Sequence, residues 1–350
     1  EPTFRNPLLT PIARFGMRGK KYMILEGGFT MRRLFVLGII IILVLIASSA
    51  WAQKAVRLSI ATGGTGGTYY PIGGGIAHII SKYVPYAEAT AEVTNASVDN
   101  CLLVGKGKAE LALTMGDVVW EAYQGVGKFK EKIPLRAVAI IYPNSMHIVT
   151  LEGRGIEKVT DLKGKRVSTC SPGSGTEVMA LRLLEAYGMN ADRDMKRDRL
   201  GASESAGAIK DKKIDAYFWV SGLPTSSVLD LAATPGIKMK LIPHVDAAPK
   251  MRAKYGPLYS QGVIPAKTYP GQEADVPVAL VVNMLVCHEN MKGDIVHDVV
   301  KTLFERKPEL EAVHNAAKDL TLEAQTTEGS PIPFHPGAIR YFTEKGLKFR

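Results

Sequence analysis

Short apolar runs alternate along this chain with longer segments whose apolar residues recur every three or four positions. Residues 56–61 predict a strand and 71–83 a helix. A strand over 88–94, a helix over 98–105, a strand over 110–114 and a helix over 117–123 continue the rhythm. Two further strands are expected at 135–142 and 147–151. A second unit opens with the polar turn Asp161-Leu162-Lys163-Gly164-Lys165 and a strand over 166–170. Val178, Leu181, Leu184 and Tyr187 then fall on one helical face. Ser174 and Glu177 stand three apart, as a capping box requires, and Gly188 is placed to end that helix. Helices at 205–212 and 225–233 flank a strand at 216–220, and 278–287 reads as a long apolar strand. Helices follow at 295–304, 309–317 and 336–345, whereas 243–276, rich in Pro, Gly and Lys, reads as irregular. Strand–helix alternation of this kind predicts an α/β fold built on parallel, doubly wound sheets.

Composition narrows the picture. With 350 residues the chain has room for about two domains, and 46% apolar content supports a real core. Of the formal charge of +10, residues 1–52 contribute +5 (seven Lys/Arg against two Asp/Glu), which leaves +5 for the rest. No dense basic block with interleaved aromatics is present, so nucleic acid is not an expected partner. Cys101, Cys170 and Cys287 lie far apart without metal-ligand spacing, and the seven histidines form no H-x-x-x-H or H-E-x-x-H pattern. Neither a metal nor a cofactor is expected. Residues 31–52 have the three parts of a secretory signal: Met31-Arg32-Arg33, an apolar run of 13 residues over 34–46, and small residues at Ala50 and Ala52. That run is short of the ~20 residues a membrane span needs. Cleavage after Ala52 and a periplasmic location are expected, with residues 1–30 read as upstream sequence without fold meaning.

The candidate chemistry lies in two glycine-rich loops that each follow a strand and open a helix. The first is Gly63-Gly64-Thr65-Gly66-Gly67-Thr68-Tyr69-Tyr70 and the second Ser171-Pro172-Gly173-Ser174-Gly175-Thr176. Backbone N–H groups in such turns, aided by the helix dipole, can cradle an anion. No lysine follows the first loop as a P-loop needs, and Tyr69 stands where a dinucleotide fold needs its third glycine. Ser174 lacks the G-x-S-x-G context of a hydrolase nucleophile, and no histidine is marked as its partner, so catalysis is not expected. Three more loops, Asn95-Ala96-Ser97, Met115-Gly116-Asp117 and Ser221-Gly222-Leu223-Pro224, also sit at strand ends. In open parallel sheets these ends line one cleft. Tyr69, Tyr70 and Trp219 are either cleft walls or core.

The order of these motifs resembles the TAXI family of receptors for TRAP transporters, within the periplasmic solute-binding proteins. The resemblance runs over nearly all of residues 55–346. It is carried by the first glycine loop with its continuation Pro71-Ile72-Gly73-Gly74-Gly75, by Asn95-Ala96-Ser97-Val98-Asp99-Asn100 and by Asp161-Leu162-Lys163-Gly164-Lys165-Arg166-Val167. Pro172-Gly173-Ser174-Gly175-Thr176-Glu177, Thr268-Tyr269-Pro270-Gly271-Gln272 and Pro331-Ile332-Pro333-Phe334-His335-Pro336-Gly337-Ala338 extend it. It implies a type II periplasmic-binding-protein fold, with two lobes joined by hinge strands. Lobe I would hold residues 53–143 with 279–350, and lobe II residues 144–278. It further implies a monomer that captures a small organic anion of the glutamate, glutamine or 2-oxoacid/dicarboxylate class and passes it to a TRAP-type permease. No arginine stands in the cleft-loop motifs, so backbone amides and hydroxyls are expected to carry the carboxylate. Gly66, Gly67 and Thr68 would donate from one lobe, and Gly173, Ser174, Gly175 and Thr176 from the other. Tyr69 and Trp219 would wall the ligand. Asn95, Ser97, Asp117, Ser221 and Gly222 would complete the set, with Asp117 accepting from a ligand amine. A ligand-sensing subunit for a membrane signalling protein, or an enzyme on a small acid, are the competing readings.

Overall fold

The computed structural model describes residues 55–349, and Val36 alone before them. The expected signal segment thus lies outside the described residues. In chain order the elements begin β1 (Val56–Ala61), α1 (Tyr69–Tyr83), β2 (Ala87–Glu92), α2 (Ser97–Gly105), β3 (Leu111–Met115), α3 (Gly116–Gln124) and β4 (Leu135–Leu151). Next come β5 (Arg166–Ser168), α4 (Gly175–Ala186), α5 (Ala191–Asp194), β6 (Lys196–Asp198), α6 (Ala202–Lys210), β7 (Ala216–Ser221), α7 (Ser226–Ala233) and β8 (Met239–Leu241). The chain continues with α8 (Ala247–Tyr255), β9 (Tyr259–Ile264), β10 (Val276–His288), α9 (Gly293–Glu305), α10 (Lys307–Val313) and α11 (Pro336–Glu344).

The strands pair in the order β2-β1-β3-β10-β4-β7-β5-β6, with β8 beside β4 and β9 beside β10. Parallel pairing is confined to β2-β1-β3 in one lobe and β7-β5-β6 in the other. The parallel pairing expected from the βαβ rhythm is present within each lobe, and antiparallel strands join the two. The centre of the sheet is two long antiparallel strands that pass through both lobes. The first part of β4 pairs with β10, which pairs in turn with β3. From Ser145 to Thr150, β4 pairs with β7, and from Val149 it also pairs with β8. The two strands expected at 135–142 and 147–151 are one strand of 17 residues. Pro143 does not break it, because pairing with β7 begins only at Ser145 and leaves one side of Pro143 without a ladder partner.

Residues 243–276, expected to be irregular, contain α8 and β9. Pro249 falls in the first turn of α8, where a missing N–H costs nothing. The strand β9 has largely exposed inner positions and owes its form to pairing with β10. A large cluster led by Leu58, Ile60, Ile72, Ile76, Val118 and Leu285 packs helices on the β1–β3–β10–β4 surface. A smaller one around Ile209, Tyr217, Val228 and Tyr269 packs α6 and α7 in the second lobe, whose other buried residues, such as Val167, Leu183 and Phe218, belong to the large cluster. Among the described residues no helix is long and apolar enough to cross a membrane.

Candidate functional site

A cavity of about 350 Å³ lies between the lobes, a size that suits a small molecule. Tyr69, Ser97, Gly175 and Ala202 line it, and each is the first residue of a helix. Met115, the residue before α3, lines it too. Helices α1, α2, α4 and α6 thus present their N-terminal turns to one space. First-turn N–H groups have no partner inside their own helix, and the dipoles add positive potential. Among the described lining residues Glu204 is the one charged side chain, and it is exposed. Positive potential here comes from backbone rather than from lysine or arginine.

The loops hold this geometry by hydrogen bonds across the cleft. Thr68 N–H donates to Ser221 Oγ at 3.2 Å, and Thr68 Oγ1 donates to the Gly222 carbonyl at 3.2 Å. Ser221 Oγ in turn donates to Thr68 Oγ1 at 2.9 Å. The Gly66 carbonyl accepts from Ser227 N–H at 3.2 Å and from Thr225 Oγ1 at 3.1 Å. Val98 N–H donates to the Gly173 carbonyl at 3.1 Å. Two glycines let the lobes approach this closely. A Cβ on Gly67 would lie 2.7 Å from Trp219 Cζ2, and one on Gly175 would lie 2.4 Å from Met115 Sδ and 2.7 Å from Ser97 Oγ. The lobes are closed on each other.

Of the residues expected at the site, Gly66, Gly67, Thr68, Tyr69, Asn95, Ser97, Ser174, Gly175, Thr176, Trp219 and Ser221 line the cavity. Their hydroxyls are largely committed to the protein. Ser174 Oγ accepts from Glu177 N–H at 3.1 Å and donates to the Ser171 carbonyl at 2.7 Å. The return half of the expected capping box is not made, because the Glu177 carboxylate pairs with Arg197. Thr176 Oγ1 accepts from Val220 N–H at 3.2 Å, and Ser97 Oγ accepts from Met115 N–H at 3.2 Å. Backbone N–H groups are therefore the principal donors left for a ligand.

Gly173, Gly222 and Asp117 are not brought to the cavity wall. Gly173 sits behind the second loop at a left-handed φ of +81°, facing Asp99. Gly222 is covered by the Tyr142 ring, the Ala316 methyl and Thr68. Asp117 is fully buried in a different cluster. Its carboxylate accepts from Tyr259 Oη at 2.6 Å and from Arg182 at 3.3 Å. The same guanidinium pairs with Glu121 and stacks over Tyr255 at 4.4 Å. Burial pushes the Asp117 carboxyl above its usual range, and Arg182 holds it back. The Asp117 carboxylate, expected to accept from a ligand amine, here joins α3 to α4 through Arg182.

The residues of Gly201-Ala202-Ser203-Glu204 line the cavity and were not expected there. Their sequence signal was the small-residue start of α6, which begins at Ala202 rather than 205. Cys170 and Ala96 also line it, each at a left-handed φ of 74°. Such backbone costs about 1–3 kcal/mol per non-glycine residue and concentrates at functional sites. The thiols of Cys101, Cys170 and Cys287 are free and buried.

A family model described as the NMT1-like family matches residues 60–346. The chain belongs to the NMT1-like family. Among solved structures, the fold is similar to that of a protein from Bordetella bronchiseptica RB50, at TM-score 0.52 and 14% identity, covering 84% of this chain and 99% of that one. A structure described as a periplasmic transporter matches at TM-score 0.50 and 14% identity, covering 76% and 88%. The alkanesulfonate-binding protein SsuA from Xanthomonas axonopodis pv. citri, bound to MOPS, matches at TM-score 0.47 and 17% identity over 83% and 85%. The architecture of this NMT1-like protein is the type II periplasmic-binding-protein fold, with two lobes joined by the crossing strands β4 and β10.

Proposed function

We propose that this NMT1-like protein is a periplasmic solute receptor that closes on a small organic anion and delivers it to a membrane permease. The observation that carries this reading is the convergence of Tyr69, Ser97, Gly175 and Ala202, four helix starts, on one cavity without a lysine or arginine in its wall. A carboxylate fits such a site: it accepts from several backbone N–H groups, and each helix terminus contributes up to ~2 kcal/mol in a partly buried setting. Gly66, Gly67 and Thr68 border the ligand from lobe I (residues 53–143 with 279–350) and Ser174, Gly175 and Thr176 from lobe II (residues 144–278), with Gly66, Gly175 and Thr176 as the N–H donors, since the N–H groups of Gly67, Thr68 and Ser174 already donate to Gly64, Ser221 and Ser171. Trp219 and the Tyr69 ring wall the ligand, and Asn95, Ser97 and Ser221 border it. The motif order favours the TAXI type of receptor and a TRAP-type permease, with glutamate, glutamine or a dicarboxylate as the ligand class. The protein acts as a monomer and turns nothing over.

Differential affinity of the ligand for the closed form drives closure in this mechanism. Calorimetry of residues 53–350 with glutamate, glutamine, 2-oxoglutarate and succinate tests it. Saturable heat with one of them supports the reading. No binding to any of the four sinks it.

A further inference from the structure

The cavity serves one anionic end of a ligand and offers little to a second. No lysine or arginine stands among the described lining residues. The start of α6 already has a carboxylate of its own: a Cβ on Gly201 would lie 2.4 Å from Glu204 Oε2. The starts of α1, α2 and α4 are therefore what remains for a ligand carboxylate. Two further polar groups of the wall are engaged within the protein. Thr94 Oγ1 donates to Asn100 Oδ1 at 2.6 Å, and Asn95 Nδ2 donates to Asp99 Oδ2 at 2.7 Å. A second ligand carboxylate would meet Glu204 as a like charge and find no cation to pair with.

The rest of the wall is largely apolar. Trp219 turns its polar atom away, Nε1 donating to Thr225 Oγ1 at 3.2 Å, and sets its ring beside Gly67. The Tyr69 hydroxyl is directed to Ser97 and Asn144, which leaves the ring to the cavity. The Met115 thioether reaches the start of α4. At the rim, just after β2, stands Val93. At 58% it is the most exposed large apolar side chain among the described residues. A lone exposed valine is ordinary on a protein surface, but this one extends a wall of three apolar side chains. Ligand sites commonly combine such walls with a few polar groups that fix one end.

We propose that the preferred ligand is a carboxylate whose other end is apolar and ring-bearing, held against Tyr69, Met115, Trp219 and Val93 while the helix starts hold the carboxylate. The proposal rests on the carboxylate-capture reading and ranks such acids above the glutamate and dicarboxylate class within it.

The experiment is calorimetry of residues 53–350 with two matched pairs, phenylpyruvate with 2-oxoglutarate and L-phenylalanine with L-glutamate. The members of a pair share one carboxylate end and differ at the other. At least one aromatic member binds about tenfold or more tighter than its dicarboxylate partner. Val93→Ser lowers affinity for that aromatic member about fivefold and for its partner less than twofold. Val93→Lys supplies the cation that the wall lacks, so it weakens the aromatic member, tightens the dicarboxylate and shifts their ratio about tenfold or more. The denaturation midpoints of both variants stay level, since Val93 is exposed. Equal or tighter binding of the dicarboxylate to the parent overturns the proposal and leaves carboxylate capture standing. So does an equal effect of the Val93 variants on both members of a pair, or a lowered midpoint, because Val93 would then not face the ligand. Binding of none of the four compounds overturns carboxylate capture and the proposal with it.

Discussion

Arg182 of α4 and Asp117 of α3 come from opposite lobes and meet at 3.3 Å behind the cavity, both buried. Tyr259 completes the contact, donating to Asp117 at 2.6 Å and accepting from Arg182 at 2.7 Å. Taking one charge from such a set leaves the others unpaired in a dry place. Arg182→Met should lower the unfolding free energy by ~3–5 kcal/mol, measured by urea denaturation. Arg182→Lys keeps the charge but loses the fork, and its midpoint should fall between the two. A Met variant as stable as the parent would mean that the ion cluster ties nothing.

Gly67 should be needed for capture rather than for folding. Its φ lies outside the left-handed region, so alanine is unstrained there, but the added methyl would stand 2.7 Å from Trp219. Gly67→Ala therefore opposes closure by ~1–3 kcal/mol, with affinity falling about tenfold or more and the denaturation midpoint nearly unchanged. Affinity equal to that of the parent would contradict the closed geometry.

Ser174 should behave in the opposite way. Its hydroxyl caps α4 through Glu177 N–H, so Ser174→Ala should cost about 1 kcal/mol of stability. Ligand affinity should change little, because the N–H groups of Gly175 and Thr176 remain. A large affinity loss at constant stability would assign the hydroxyl to the ligand.

Stability should fall in mild acid through two buried histidines. His147 accepts or donates at Tyr269 Oη (2.8 Å) and lies against the Ser145 and Trp219 carbonyls. His244 lies against the Ile242 carbonyl. Burial lowers each from 6.5 to about 4. The unfolded chain therefore takes up protons below pH 6.5 that the folded chain refuses until about pH 4. In that window each histidine removes ~1.4 kcal/mol per pH unit, and at neutral pH neither removes anything. Urea midpoints between pH 7.5 and 4.5 (roughly the span of this linkage) should decline, and His147→Gln should reduce the slope. A slope unchanged in that variant would exclude His147.

Much of this was legible in the sequence because local rules and tertiary demands agreed. The helix over Gly175–Ala186 carries its own cap, its own apolar face and its closing glycine. The first glycine loop likewise declares a strand-to-helix turn. What was hidden depended on partners distant in the chain. β9 has no burial alternation to announce it and exists because β10 offers an edge. β4 runs through Pro143 only because both lobes pair with it. Asp117 had the sequence position of a site residue, and only the fold brings Arg182, 65 residues later, to claim it.

The double passage of the chain also sets an order of assembly. β3 has β1 on one side but waits for β10 on the other, and β10 begins only at Val276. As the chain emerges with its N-terminal end first, β5, β6 and β7 can form a sheet while the edge of β3 is still bare. The first lobe to begin is then the last to finish. A chain halted before residue 276 would display an unpaired apolar strand, Leu111–Met115, to anything able to pair with it.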